Sequence, residues 1–201
     1  MNITIEENYT NLIKFLKELD PLLSKIEIEA NSKKDLLLAA FTRLIITHVE
    51  SIHILIKKEL SNSAYTLVRP LFDTILRMKY MYYIMEKSDI EKIWISKNWN
   101  QKFPNPTKMA TSLDNHLNNT FYVDILKDIK NNSHDYTHTG MKQIASMFND
   151  DDSISVCDDR ELQLEIMSNT LNLLKTSISI YLSIGINNGN LLKKDVEKLL
   201  L

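Results

Sequence analysis

The sequence predicts an all-α fold, an up-and-down helical bundle with short inserted helices. Glycine occurs three times and proline four times in 201 residues, whereas an all-β fold needs turn residues roughly every 8 to 12 positions. Apolar residues recur every three or four positions over long stretches, as they do on one face of a helix. Hydrophobic residues make up 44% of the chain, and the length favours one domain over residues 1–201.

The first predicted helix runs from about Ile5 to Leu19, with apolar residues at helical spacing. Asp20 precedes Pro21, and a residue before proline avoids the α region, so the helix is predicted to end there. Pro21 then opens a short second helix that reaches about Ala30.

Three long helices are predicted over 32–60, 62–86 and 160–186, each with an apolar stripe at helical spacing. Ser32 begins the first of them as an N-cap, because its hydroxyl can accept a backbone N–H of the first turn. Pro70 lies inside the second. A proline there removes one backbone hydrogen bond and kinks the helix, at a cost of about 3 kcal/mol.

The remaining elements are shorter. Short helices from about 88 to 130, the last of them ending near Ile129, form a predicted insertion over the bundle. A fourth core helix is predicted near 133–147. The core then comprises about 32–86 and 133–186.

Composition excludes several classes of protein. The net charge is −2 and the isoelectric point about 6.2, so no global basic field favours nucleic-acid binding. Cys157 is the only cysteine, which rules out an intramolecular disulfide and disfavours a zinc site built on cysteines. The N-terminus shows no signal-peptide pattern, and no long uncharged apolar run predicts a membrane span. We therefore expect a cytoplasmic protein with no membrane partner.

The segment 132–140, Asn-Ser-His-Asp-Tyr-Thr-His-Thr-Gly, is the richest in chemically active groups. It holds two of the five histidines, His134 and His138, with Asp135 and Tyr136 between them. Such groups can move protons or bind a phosphate or a metal. If the protein is an enzyme, we expect its chemistry here.

His134 and His138 lie four residues apart, so on a helix they share one face. This spacing suits two ligands of one metal, but a site needs at least one further ligand. His48 or Glu50 on another helix is a candidate for it, although His48 lies on an apolar stripe and is otherwise expected to be a core histidine. The competing interpretation is a polar helix start, and we expect no bound metal.

Arg69, Asp73 and Arg77 form a second polar row, at positions i, i+4 and i+8 of one predicted helix. Two of the four arginines of the chain stand in this row. One interpretation is a pair of weak ion pairs on a solvated face. The other is bidentate recognition of a phosphate or carboxylate, for which the guanidinium fork is suited. In an antiparallel bundle the row would face the helix that carries His134 and His138.

Two segments together resemble a group of uncharacterised bacterial helical proteins close to the HEPN superfamily. Residues 64–74 contain Leu-x-Arg-Pro-Leu-x-Asp, and 133–140 contain Ser-x-Asp-Tyr-x-His-x-Gly. The resemblance implies a helical bundle, commonly a homodimer. It also implies a metal-independent endoribonuclease or effector of a toxin–antitoxin or phage-defence system. RNA would be the substrate, and an antitoxin or another defence protein the partner.

The resemblance carries over onto particular residues. The superfamily's motif places an arginine shortly before a histidine, and His138 matches that histidine. The position six before it is Asn132, so the motif arginine is missing. Arg69 on the neighbouring helix would supply the cation instead. Asp73 or Asp135 would hold the arginine or orient the imidazole.

The implied chemistry is attack of the RNA 2′-hydroxyl on the adjacent phosphate, without a metal or another cofactor. His138 would act as the base, because histidine titrates near neutral pH. Arg69 would stabilise the negative charge that develops on the phosphorus centre. His134 or Tyr136 would protonate the leaving oxygen.

Two other functions stay open. The missing motif arginine is consistent with a non-catalytic helical module that binds RNA or protein and regulates it. The paired histidines, His134 and His138, are consistent with a metal-dependent hydrolase.

Overall fold

A computed structural model describes residues 4–28, 32–96, 103–137 and 159–200, with only the backbone of 130–137. Within these ranges all regular elements are helical, which confirms the predicted all-α class. The helices are α1 Ile5–Leu23, α2 Lys33–Lys57, α3 Ser61–Tyr83, α4 Lys87–Ser96, α5 Pro106–Leu117, α6 Phe121–Thr137, α7 Arg160–Asn187 and α8 Lys193–Leu200.

The long helices α2, α3 and α7 form the centre of the bundle, as the apolar spacing predicts. Their side chains meet in one hydrophobic core, in which Ile52, Phe72 and Leu174 are among the fully buried residues. Helix α3 continues through Pro70 as far as Tyr83. The loss of one backbone hydrogen bond at the proline is thus outweighed by burial of the apolar face on both sides of it.

The predicted break at Asp20 and Pro21 is wrong, because α1 runs through both residues to Leu23. Leu19 and Leu22 are both buried, at 1% and 9% exposure, and they stay on the core side only if the helix continues. Burial of two leucines stabilises this conformation by a few kcal/mol, which exceeds the bias against helix before proline.

The predicted end of a helix near Ile129 is also wrong, because α6 is continuous from Phe121 to Thr137. The predicted boundary between insertion and core, at about 130, therefore falls inside one helix. Leu113 of α5 and Leu126 of α6 lie in the same hydrophobic core as residues of α2, α3 and α7.

Helix α2 is long and apolar enough to cross a membrane if length and composition alone are considered. In the fold it packs against α1, α3, α4 and α7. Its buried positions, among them Ile45, Val49 and Ile52, face the core. Leu44 and Ile54 on the same helix are exposed, at 44% and 45%, and core helices of soluble proteins can pass the same test.

Gly185 lies where α7 meets the loop before α8, and its position leaves no room for a side chain. A Cβ atom there would lie 2.7 Å from Leu191 Cδ1 and 2.9 Å from Ile26 Cγ1. The Gly185 carbonyl also accepts the backbone N–H groups of Asn190 and Leu191, at 2.8 and 3.0 Å, so the loop is tied to this site.

We expect Gly185→Ala to destabilise the protein by about 1 to 2 kcal/mol. Overpacking of a core costs about 1–3 kcal/mol, whereas alanine regains at most about 1 kcal/mol of helix propensity. Urea unfolding followed by circular dichroism measures the difference. A midpoint equal to or above that of the wild type would contradict the close packing of Leu191 and Ile26.

Candidate functional site

The motif segment begins on the last two turns of α6, which ends at Thr137. The backbone of 132–137 is helical, and nothing is described of its side chains, including those of His134, Asp135 and Tyr136. His138 lies outside the described residues, as do the rest of the motif and Cys157. A direct contact between His138 and Arg69 therefore stays a prediction.

Helices α3 and α6 pack against each other, and the positions of the residues that meet indicate that they run antiparallel. Near the start of α6, the Nζ atom of Lys79 on α3 donates to the Tyr122 hydroxyl at 2.9 Å. Two turns later, Ile129 borders the same groove as Phe72 and Val68, which are earlier in α3. Each residue advances about 1.5 Å along both helices, so we expect the backbone of Asn132, ten residues after Tyr122, to lie near the level of Arg69, ten residues before Lys79.

The row formed by Arg69, Asp73 and Arg77 is half-buried rather than fully solvated. Burial raises the pKa of the Asp73 carboxyl, and the positive charges of Arg69 and Arg77 oppose that rise. The guanidinium carbon of Arg77 lies 5.7 Å from the ring centroid of Phe103, itself buried at 8% exposure. Because water is partly excluded, charges in this row act more strongly than ion pairs on an open surface.

A buried polar pair, Lys79 and Tyr122, joins α3 to α6 and was not predicted from the sequence. Lys79 is only 7% exposed, and burial lowers its pKa to about 8. The pKa of Tyr122 is raised to about 12, mainly by burial and further by Tyr83 and Asp114. The signal in the sequence is a single lysine within the otherwise apolar stretch from Met78 to Met85.

The start of α6 is also fixed from α5. The carboxylate of Asp114, which is 4% exposed, accepts the backbone N–H of Tyr122 at 3.0 Å and that of Val123 at 2.8 Å. A carboxylate at a helix N-terminus satisfies free backbone donors and complements the helix dipole. Asp114 and Lys79 together hold the helix that carries the motif.

His53 on α2 is fully buried, at 0% exposure. Its Nε2 atom lies 3.1 Å from the Met167 carbonyl oxygen and 3.2 Å from Thr170 Oγ1. Since a carbonyl only accepts, Nε2 carries the proton and donates to it. Burial lowers the pKa of His53 to about 4. His48, expected to be the core histidine, is half-buried, and burial lowers its pKa as well.

The phase of the helix distinguishes the two histidines. His53 shares its face with Val49, Ile52 and Ile56, which are all buried. The spacing of His53 from Val49 and Ile56 is visible in the sequence and indicates a position on the buried face of α2. As for metals, the described part of the chain contains no cluster of three or more histidine, cysteine or acidic side chains that could hold an ion.

Comparisons with known proteins give one result. A family model described as "Family of unknown function (DUF6988)" matches residues 42–193, which include α3 to α7 and the candidate site. No curated protein and no solved structure matches the chain. The family description assigns no activity, so the site has to be interpreted from its own residues.

Proposed function

The chain belongs to this family of unknown function, and we propose that it is a HEPN-like effector that cleaves RNA without a metal. The antiparallel packing of α3 on α6 carries the proposal. With this packing, the end of α6 that leads into His138 would lie near the level of the half-buried row of Arg69 and Asp73, which supports the proposal. A cation, a carboxylate and a base would then converge from two adjacent helices.

The reaction assigned to this site is an internal transfer within RNA. His138 takes the proton of the 2′-hydroxyl as the O2′–P bond forms, and the P–O5′ bond breaks. His134 or Tyr136 gives a proton to the departing 5′-oxygen. The products are a 2′,3′-cyclic phosphate and a 5′-hydroxyl, so the step consumes no water and requires no metal.

The environment of Arg69 suits its assigned role. Its guanidinium would lie beside the phosphate and stabilise the additional negative charge at the transition state. Half-burial strengthens that interaction, because the local dielectric is lower than in water. Asp73 is the nearby carboxylate on the same helix face, one turn away, and it fixes the guanidinium or orients the imidazole.

We also propose an oligomeric state, a location and a partner for this activity. One chain supplies one set of Arg69 and His138, and a homodimer would pool two sets along one RNA strand. We propose that the protein acts on RNA in the cytoplasm. An uncontrolled ribonuclease harms its own cell, so we propose an antitoxin or another defence-system protein as the partner that restrains it.

The test is cleavage of a labelled single-stranded RNA by the purified protein in excess chelator. We expect the wild type to leave 2′,3′-cyclic phosphate ends, and His138→Ala to lower the rate about 100-fold or more, as loss of a general base does. Arg69→Ala should act similarly, while Arg69→Lys keeps the charge without the fork. Arg43→Ala, which removes an exposed arginine of α2, is the matched control and should retain the activity.

The outcomes separate the candidate functions. Equal cleavage by wild type and His138→Ala, or none by either, contradicts the ribonuclease. Activity that chelator abolishes and a divalent metal restores supports the hydrolase that uses His134 and His138. An inactive protein whose melting temperature falls in His138→Ala supports the non-catalytic binding module, which the apolar groove between α3, α6 and α7 also favours.

A further inference from the structure

An open groove lies between α6 and α7, with α3 as its floor. Its volume is about 640 Å³, which is within the range of binding pockets in proteins. Tyr65, Val68 and Phe72 contribute to the floor from α3. None of these residues belongs to the proposed catalytic set. We refer to this feature as the α3–α6–α7 groove.

The α6 wall of the groove is largely apolar, whereas the α7 wall combines apolar residues with the polar residues Asn169, Thr170, Asn172 and Thr176. On α6, Phe121, Ile125 and Ile129 follow one another at intervals of four residues, and on α7 Leu162 and Ile166 do the same. Phe121 stands at one end of the groove and is 48% exposed. An apolar trough between two helices, with an uncovered aromatic side chain at its end, is a surface that another apolar helix face can cover.

The charges along the groove have one sign. Among the described residues that line it, the charged ones are Asp128 on α6 and Glu165 on α7, and both are exposed on the rim. An anionic occupant such as RNA or a fatty acid would be repelled there. A cationic occupant would meet a carboxylate on each wall.

The length of the groove fits a helix. Along α7 its lining extends from Leu162 to Thr176, which corresponds to about 21 Å at a rise of 1.5 Å per residue. Along α6 the lining extends from Phe121 to Ile129, about 12 Å, so an occupant helix would face α7 over about four turns and α6 over about two. A helix laid between α6 and α7 would contact both walls and the floor, in the same way that helices pack in a bundle.

We propose that the α3–α6–α7 groove binds an amphipathic helix of a partner protein. Its apolar face, with large side chains at i, i+3 or i+4, and i+7, fills the trough. Lysine or arginine residues on both flanks pair with Asp128 and Glu165. This inference does not depend on the ribonuclease, because it involves other residues and another face of α3.

The experiment uses the full-length protein and two labelled synthetic peptides of eighteen residues. Both carry leucines at i, i+4, i+7 and i+11, with lysines at the flanking positions of one and glutamates at those of the other. Fluorescence anisotropy at low and high salt gives the dissociation constants. We expect the lysine peptide to bind at least about tenfold more tightly than the glutamate peptide, with a difference that salt reduces.

Variants assign the binding to the groove. Asp128→Lys combined with Glu165→Lys should reverse the preference between the peptides. The matched control, Asp124→Lys combined with Glu161→Lys, changes two exposed acids on the same helices outside the lining and should leave the preference unchanged. These substitutions are on the surface, and melting curves verify that the variants fold.

A second pair of variants tests the apolar contact. Phe121→Ala should weaken binding of the lysine peptide about fivefold or more. Leu192→Ala, which truncates a side chain that is 60% exposed and outside the groove, should not. The proposal is overturned if neither peptide binds, if both bind with equal affinity, or if Phe121→Ala leaves binding unaffected. It is also overturned if the protein forms a dimer through the groove and the lysine peptide does not displace the second copy. RNA cleavage, measured separately, fails or succeeds independently of these results.

Discussion

Replacing Lys79 by methionine is expected to abolish a rise in stability that the wild-type protein shows between pH 8 and 10.5. Burial beside Tyr122 lowers the pKa of Lys79 from 10.5 to about 8. Between these values the unfolded chain binds a proton that the folded protein does not, so the free energy of unfolding increases with pH. The increase is about 3 kcal/mol, because one pKa unit corresponds to about 1.4 kcal/mol.

Urea unfolding at intervals from about pH 7 to 10 measures this difference between wild type and Lys79→Met. The upper limit matters, because the raised pKa of Tyr122, about 12, makes the folded protein lose stability above the ordinary tyrosine pKa of 10. Lys17→Met, which removes an exposed lysine of α1, is the control and should keep the rise. Parallel curves for wild type and Lys79→Met would show that the ammonium is not buried.

The pair of Lys79 and Tyr122 also explains how the register of α6 on α3 is fixed. Apolar side chains alone would tolerate a slide of α6 by one turn, about 5.4 Å. Such a slide would separate Lys79 Nζ from the Tyr122 hydroxyl and leave both buried without a partner, which costs more than a mismatched apolar contact. The polar pair therefore helps to fix the register of α6 on α3.

The long helices could be predicted because burial follows the helical period. In α2, α3 and α7 the apolar stripe was sufficient, and a single proline at position 70 did not interrupt the helix. Predictions from local sequence signals were wrong where tertiary contacts determine the end of a helix. The local signal at Pro21 predicts a break, although Leu19 and Leu22 hold α1 to the core around it. The polar residues after Ile129 concealed the continuation of α6, which begins at a cap supplied by Asp114 of α5.

Only part of the candidate site could be predicted from the sequence. Sequence spacing placed Arg69 and Asp73 on one helix face, and the structure adds that α6 packs against the helix that carries them. Sequence spacing did not identify Lys79 as a buried residue. One charged residue in an apolar run is buried only if it has a partner such as Tyr122, which comes from elsewhere in the chain. The groove could not be predicted from the sequence either, since it is formed by residues from three helices that are distant in sequence.

His53→Gln is expected to make the protein less sensitive to acid. Burial lowers the pKa of His53 from 6.5 to about 4, so between these values only the unfolded chain binds the proton. The wild type therefore has the full stabilisation above pH 6.5 and loses about 3 kcal/mol of it as the pH falls to 4. Glutamine retains a donor near the Met167 carbonyl and does not titrate.

The measurement is urea unfolding at intervals from about pH 7 to 4 for wild type and His53→Gln. At neutral pH we expect a difference of about 1 kcal/mol in favour of the wild type, for an imperfectly placed hydrogen bond. The curves should converge and then cross as the pH falls. His116→Gln, which replaces an exposed histidine of α5, should follow the wild type throughout. If His53→Gln loses stability in acid as steeply as the wild type, His53 is protonated in the folded protein. Its Nδ1 atom, which has no hydrogen-bond partner among the described residues, would then have to reach water.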